Sequence, residues 1–207
     1  MCNRFRVSPG QYARLVEAGV LPPFAPDESW PAPRNPLDGI DIWPKYLAPV
    51  VHRVDGELAA SFMRWGFPTK IRGASGKMLE KHVTNCRNYT SLFWRSAIAS
   101  PARRCLVPFS EFAEPKPGKD EAGKPANYWF SLPASPIGMF AGIWRPTEAG
   151  NVFAFLTCEP NPLVGEVHPK AMPVVLDQAD WWRWLDAPAE EALCLAAPFP
   201  SQLMARR

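Results

Sequence analysis

From residue 102 to 176 the chain repeats one pattern. Short apolar or aromatic runs are each closed by glycine, proline or a polar turn. ARRCLVPF (102–109), YWFSL (128–132), MFAGIW (139–144), VFAFLTC (152–158) and MPVVL (172–176) predict five strands. Earlier in the chain, Val50–Arg53 and Glu57–Trp65 read as a hairpin turned by Asp55–Gly56. Helical spacing appears in PGQYARLVEA (9–18), where proline leads and Tyr12, Leu15 and Val16 recur at helical intervals. It returns in DQADWWRWL (177–185), capped by Asp177, and in PAEEALCLA (188–196).

Between these elements lie two irregular stretches. Residues 20–49 are dense in proline and predict a wrapping loop that buries Phe24, Trp30, Trp43 and Tyr46. TKIRGASGKMLEKH (69–82) predicts a mobile basic loop, with Lys70, Arg72, Lys77 and Lys81 set around two glycines. No repeat, low-complexity tract or composition break divides the chain. The expected fold is one α+β domain over residues 1–207. It has a strongly curved, mostly antiparallel sheet flanked by short helices.

Composition narrows the function classes. The 207 residues are 47% hydrophobic and 21% charged, as in ordinary globular proteins. No run of about 18 uncharged apolar residues exists, so no membrane helix is predicted. The start of the chain lacks the apolar core of a signal peptide, and a cytoplasmic location, nucleoid-associated when bound to DNA, is expected. Cysteines stand at 2, 86, 105, 158 and 194, an odd number without a CxxC pair. Neither a disulfide framework nor a zinc site has its spacing, and Cys105, Cys158 and Cys194 read as small buried hydrophobes. No glycine-rich phosphate cradle appears either, so no cofactor and no metal are expected. A formal charge of +3 permits an acidic partner without demanding one. Nothing in the pattern calls for more than a monomer.

The chemistry concentrates at a few positions. The chain opens MCNRF. Trimming of methionine before a small second residue leaves Cys2 with an α-amine and a thiol on adjacent carbons. Their ordinary pKa values, about 8 and 8.5, leave both with reactive fractions near neutrality. An aldehyde meeting the pair forms an imine and closes with the thiol into a five-membered thiazolidine. Of the three histidines, His52 in a strand and His82 in the basic loop read as packed or surface imidazoles, whereas His168, on a proline-rich approach beside Lys170, is placed as a site residue. In TNCRNYTS (84–91), Asn85 and Arg87 are two apart and share a face in extended chain, an amide beside a guanidinium. In RRCLVPFSEFAEP (103–115), Glu111 and Glu114 interrupt an apolar segment, where burial raises a carboxyl toward acid–base work near neutrality.

Taken in order, MCNRF, N-x-R, RRCLVPFSEFAEP, MFAGIW, FAFLTCEPN and HPKAMPVVL resemble the SOS response associated peptidase (SRAP) family over nearly the whole chain. The resemblance implies a compact α+β fold with a strongly bent sheet and a role on single-stranded DNA containing abasic sites. There the open sugar aldehyde is captured as a thiazolidine crosslink by an N-terminal cysteine. By motif it makes Cys2 the nucleophile, and Asn85 positions the Cys2 amine or the sugar by hydrogen bonding. Glu114 becomes the general acid and base, and His168 assists sugar ring opening. It places Arg87 on a backbone phosphate, with Arg4 and Lys170 as further candidates; the basic loop adds Lys70 and Arg72 as DNA contacts, and Trp65 of the W-G pair is a contact that alone is not assumed to stack on a base.

Two stretches depart from the family pattern. Pro115 follows F-x-E where many members carry an aromatic residue. WGFPTKIRGASGK stands where some members carry a base-stacking tryptophan pair. Stacking contributes about 1–3 kcal/mol per base, so the basic loop 69–82 is expected to supply phosphate contacts instead. Two rival readings use the same residues. One is an N-terminal-nucleophile thiol peptidase, including self-removal of Met1, built on Cys2, His168 and Glu114. The other is a non-catalytic single-stranded DNA-binding module. The tryptophans, Trp129, Trp144, Trp181, Trp182 and Trp184 among them, are read as core.

Overall fold

A computed structural model describes residues 2–24, 35, 38–73, 76–121 and 123–207. Strand β1 (Phe5–Val7) leads into helix α1 (Pro9–Glu17), whose N-cap Ser8 accepts from the Gln11 amide. Then come β2 (Ile40–Ile42), the long hairpin β3 (Leu47–Val54) and β4 (Glu57–Trp65), the pair β5 (Phe67–Arg72) and β6 (Met78–Val83), and the two-residue β7 (Asn85–Cys86). Helix α2 (Leu92–Ala99) precedes β8 (Arg104–Phe109), β9 (Glu111–Lys119), β10 (Pro125–Ser131), β11 (Gly138–Thr147) and β12 (Gly150–Cys158). The chain finishes with α3 (Pro162–Gly165), β13 (Met172–Pro173), β14 (Val175–Leu176), α4 (Trp181–Asp186), α5 (Ala189–Leu193) and β15 (Ala205–Arg206).

Two sheets carry the architecture. One is ordered β15–β10–β9–β1–β2. The other runs β13–β12–β4–β3–β8–β11–β14, and β11 also pairs with β12. Five strands therefore close on themselves, with every pair antiparallel except β12 with β4. Aromatic side chains fill the space between the sheets. Phe5 of β1 meets Trp65, Phe140 and Phe155 edge-on, and Phe109 stacks on Phe140 at 4.0 Å. The α+β fold with a strongly bent sheet is thus as expected.

Several local expectations need correction. The wrapping loop contains a strand, β2, which pairs with β1 through Phe5↔Ile42. Phe24 packs on Tyr12 and Phe62, but Trp43 and Tyr46 are exposed, and Trp30 falls outside the described residues. The basic loop is instead a β-ribbon, paired in register from Phe67↔Val83 to Arg72↔Met78. Gly66 roots it at φ +113°, where an added Cβ would lie 2.8 Å from that of His82. Cys194 is exposed at the end of α5, while Cys105 and Cys158 are buried as expected.

Arg104 is fully buried, an unusual place for a guanidinium. It donates to the Trp184 carbonyl at 2.7 Å and to the Ala187 carbonyl, satisfying acceptors at the end of α4. Cations suit that end of a helix, and both carbonyls lose their donor if the side chain is cut back. Arg104→Ala is expected to lower stability by about 2–4 kcal/mol in a denaturant melt. An unchanged midpoint would show that water or another donor serves those carbonyls.

Candidate active site at the amino terminus

Three strands bring the site together. β1 carries Cys2 just before its start, β7 supplies Asn85, and β9 supplies Glu114. The Ala113 amide donates to the Arg4 carbonyl at 2.9 Å, continuing the β1–β9 pairing toward the chain start. β7 lies parallel beside β12, with Asn85 opposite Phe155. Asn85 Nδ2 donates to the Cys2 carbonyl at 3.0 Å and to Thr84 Oγ1 at 2.8 Å. Asn85 is buried, and among the described residues its Oδ1 meets no hydrogen-bond partner. A buried amide whose donor is committed and whose acceptor is open is suited to receive an N–H or O–H from a reacting group.

Electrostatics separates the two carboxylates of β9. Glu111 lies between Arg6 and Arg207, accepting from Arg207 Nη2 at 2.7 Å and from Arg6 Nη1 at 3.2 Å. Burial alone would raise it, but these guanidiniums outweigh burial and hold it below the usual carboxylate range. Glu114 is fully buried, and that burial pushes its pKa up to about 7 against the opposing pull of the amino-terminal charge. Cys2 is 1% exposed, and burial, reinforced by the nearby Glu114 charge, pushes its thiol far up. The thiol therefore stays protonated. Its Sγ lies 3.4 Å from the Arg4 carbonyl.

His168 lies on the loop that follows α3. Its amide donates to the Val164 carbonyl at the end of α3, and its Nδ1 lies 2.6 Å from the Ala171 carbonyl. The Ala171 amide lies 3.2 Å from the same Nδ1, and in the tautomer in which Nδ1 donates to the carbonyl it is Nε2 that is the ring acceptor. Arg87 ties this loop to the end of β7, donating to the Lys170 carbonyl and to Glu159 Oε1 at 2.5 Å. β7 ends at Cys86, so Asn85 and Arg87 do not share a face. Asn85 turns to Cys2, and Arg87 is exposed beside Glu159.

The remaining sequence-predicted contacts fall in three places. Lys70 and Arg72 lie on the exposed ribbon, Lys70 opposite Glu80. Arg4 is held by Asp41 through Nε and Nη2 and sits against the rings of Trp43 and Trp129. Trp65 is wholly buried, with Phe155 stacked on it at 5.3 Å, so no face of its indole is open to a base. It leaves the set of DNA contacts for that reason. Trp129 departs the other way. Expected in the core, it is partly exposed, with the Arg6 guanidinium 3.8 Å from its ring centroid. Thr84 and Asp41 escaped sequence reading, because a threonine between two strands and a lone aspartate carry no periodicity that names their partners. Of the other histidines, His52 is buried against Ser61 Oγ at 2.9 Å and His82 pairs with Glu80. No group of three potential metal ligands occurs among the described residues.

Comparison with known proteins bears on this geometry. The family model described as SOS response associated peptidase (SRAP) matches residues 1–207. No curated protein matches the chain. Among solved structures, a protein from Bordetella bronchiseptica superposes with a TM-score of 0.72 at 23% identity, covering 99% of this chain and 98% of that one. A protein from Bacteroides thetaiotaomicron gives 0.66 at 18%, covering 99% and 90%. A phage-related protein from Bordetella bronchiseptica gives 0.64 at 22%, covering 100% and 93%. These three likenesses concern the fold.

Proposed function

Because the chain belongs to the SOS response associated peptidase family, a family tied to DNA damage, we propose that it captures abasic sites in single-stranded DNA as a thiazolidine crosslink through Cys2. The observation that carries this reading is the convergence of Asn85, through its bond to the Cys2 carbonyl, and the buried Glu114 on the amino-terminal cysteine.

Removal of Met1 uncovers the Cys2 α-amine. The neutral amine adds to the aldehyde carbon of the open sugar, giving a carbinolamine. Glu114 in its protonated form donates to the departing hydroxyl, which leaves as water, and the protonated imine remains beside the Glu114 carboxylate. The Cys2 thiol then adds across the C=N bond. Sulfur bonds to carbon as the thiol proton passes to Glu114, and the C=N π pair returns to nitrogen, which keeps its proton, so one water is lost overall. A carboxyl with a pKa near 7 can give the first proton and accept the second. Asn85 holds the Cys2 carbonyl, and its open Oδ1 orients the amine or the sugar hydroxyl. Nε2 of His168 receives the sugar hydroxyl proton as the ring opens. Arg87, with Arg4 and Lys170 as further cations, engages backbone phosphates.

The β5–β6 ribbon adds reversible affinity. Between residues 67 and 83 four cations face Glu80 alone, a net charge of +3, equal to the formal charge of the whole chain. The rest of the protein is electrically balanced, so attraction to a polyanion centres on the ribbon. Replacing Lys70, Arg72, Lys77 and Lys81 by alanine is expected to weaken reversible binding by about one to two orders of magnitude at low salt. The slope of log K against log salt should flatten by roughly 0.7 for each phosphate left without its cation. An unchanged slope would remove the ribbon from the interface.

Intact mass spectrometry before and after incubation with abasic single-stranded DNA tests the central reading. Loss of Met1 followed by an adduct stable to denaturation supports it. A trimmed protein that never forms an adduct overturns it.

A further inference from the structure

The indole of Trp65 touches both halves of the site without reaching solvent. Its Nε1–H donates to the Thr84 carbonyl at 3.1 Å. The Phe155 amide donates to the same carbonyl at 3.4 Å, so the indole makes the shorter of these two bonds. Thr84 immediately precedes Asn85, and β7 is only two residues long, paired to β12 through Phe155↔Asn85 and Leu156↔Cys86. A stub this short has few ladder bonds to fix its place. On its other side the Trp65 ring meets Phe5 edge-on at 5.1 Å, three residues beyond Cys2 on the strand that carries it. The ring is further held by Phe155 stacked at 5.3 Å, and the Gly66 amide anchors to the Phe153 carbonyl at 2.8 Å.

We propose that Trp65 is a positioning residue for the reaction: its indole N–H sets the height of the Asn85 strand against the strand of Cys2. The inference rests on the crosslinking reading above. Asn85 bonds Thr84 Oγ1 and the Cys2 carbonyl with one nitrogen. A shift of the Thr84 peptide therefore moves the amide away from the amine that it orients. Small displacements of positioning groups are costly, up to about a hundredfold for 1 Å. The aromatic packing and the hydrogen bond are separable, because phenylalanine keeps the first and removes the second.

Trp65→Phe is expected to slow adduct formation about tenfold, while reversible affinity for undamaged single-stranded DNA stays within about twofold. The decisive readout is coupling. In an Asn85→Ala background, Trp65→Phe should change the rate by less than about twofold, since the group that it positions is gone. A purely structural indole would cost the same factor in both backgrounds, and that result overturns the proposal. Should Trp65→Phe fold poorly, benzothienylalanine at position 65 keeps the bicyclic shape and lacks only the N–H. An adduct rate equal to the parent's in that protein also overturns it. If the parent itself forms no adduct, it is the crosslinking reading that has failed.

Discussion

Cys2→Ser protein mixed with abasic single-stranded DNA is expected to give no adduct that survives denaturation, although it binds the same DNA reversibly with affinity within about twofold of the parent. The reason lies in the two groups that Cys2 offers. Serine leaves the α-amine in place, so an imine still forms. Its hydroxyl does not close a ring of comparable stability, and water reverses the imine. Borohydride added during incubation should therefore trap a reduced adduct on Cys2→Ser, separating the amine's step from the thiol's. A stable adduct on Cys2→Ser without reductant would sink the thiazolidine. If crosslinking is absent from the parent but DNA binding is intact, the binding-module reading takes its place. Cleavage of external peptides that depends on Cys2 would bring the thiol peptidase forward.

The second large effect concerns Glu114. Glu114→Gln keeps the shape of the side chain and removes its proton traffic, and general acid–base groups contribute about 10²–10⁴-fold. Adduct formation should slow within that range. The parent's rate profile should bend near pH 7, where Glu114 gives up its proton, and that bend should be missing from the variant. Stability moves the opposite way. The native carboxyl holds its proton up to about pH 7, whereas in the unfolded chain it is released near the ordinary value of 4.5. Between those values the native state binds the extra proton, so stability falls as pH rises through the window and stays reduced above it. Glu114→Gln removes that cost. It should melt higher than the parent above pH 7, by an amount of order 3 kcal/mol, and about equally at pH 4. A variant that melts lower at pH 8 would show that the charged carboxylate is stabilised by partners, contrary to burial as the governing cause.

These two residues also mark how far the sequence could be read. Cys2 stands out by position alone, because a cysteine uncovered by removal of Met1 would carry an amine and a thiol together. The runs from residue 102 to 158, the hairpin turned at Asp55–Gly56 and the helix led by Pro9 declare themselves through local period and turn chemistry and form where expected, whereas MPVVL (172–176) splits into β13 on β12 and β14 on β11. Glu111 and Glu114 look alike on one strand. Only the fold lays Arg6 and Arg207 against the first and seals the second from water, sending their pKa values in opposite directions.

The same limit explains the other differences. Gly73 and Gly76 made residues 69–82 read as a loop, because a ribbon depends on pairing Lys70 with Glu80 and Ile71 with Leu79 across a turn. The strands β1 and β2 are three residues each, too short for alternation to show. Trp65 carries no sign of its burial, since Phe5, Phe153 and Phe155 reach it from strands far apart in the chain. Local order follows from the sequence because period, caps and turns act between near neighbours. Which carboxyl is dry, which tryptophan is enclosed and which strand meets the amino terminus depend on contacts between distant segments. Residue spacing encodes a side chain's direction but not the partner waiting there, and only the tertiary structure decides that.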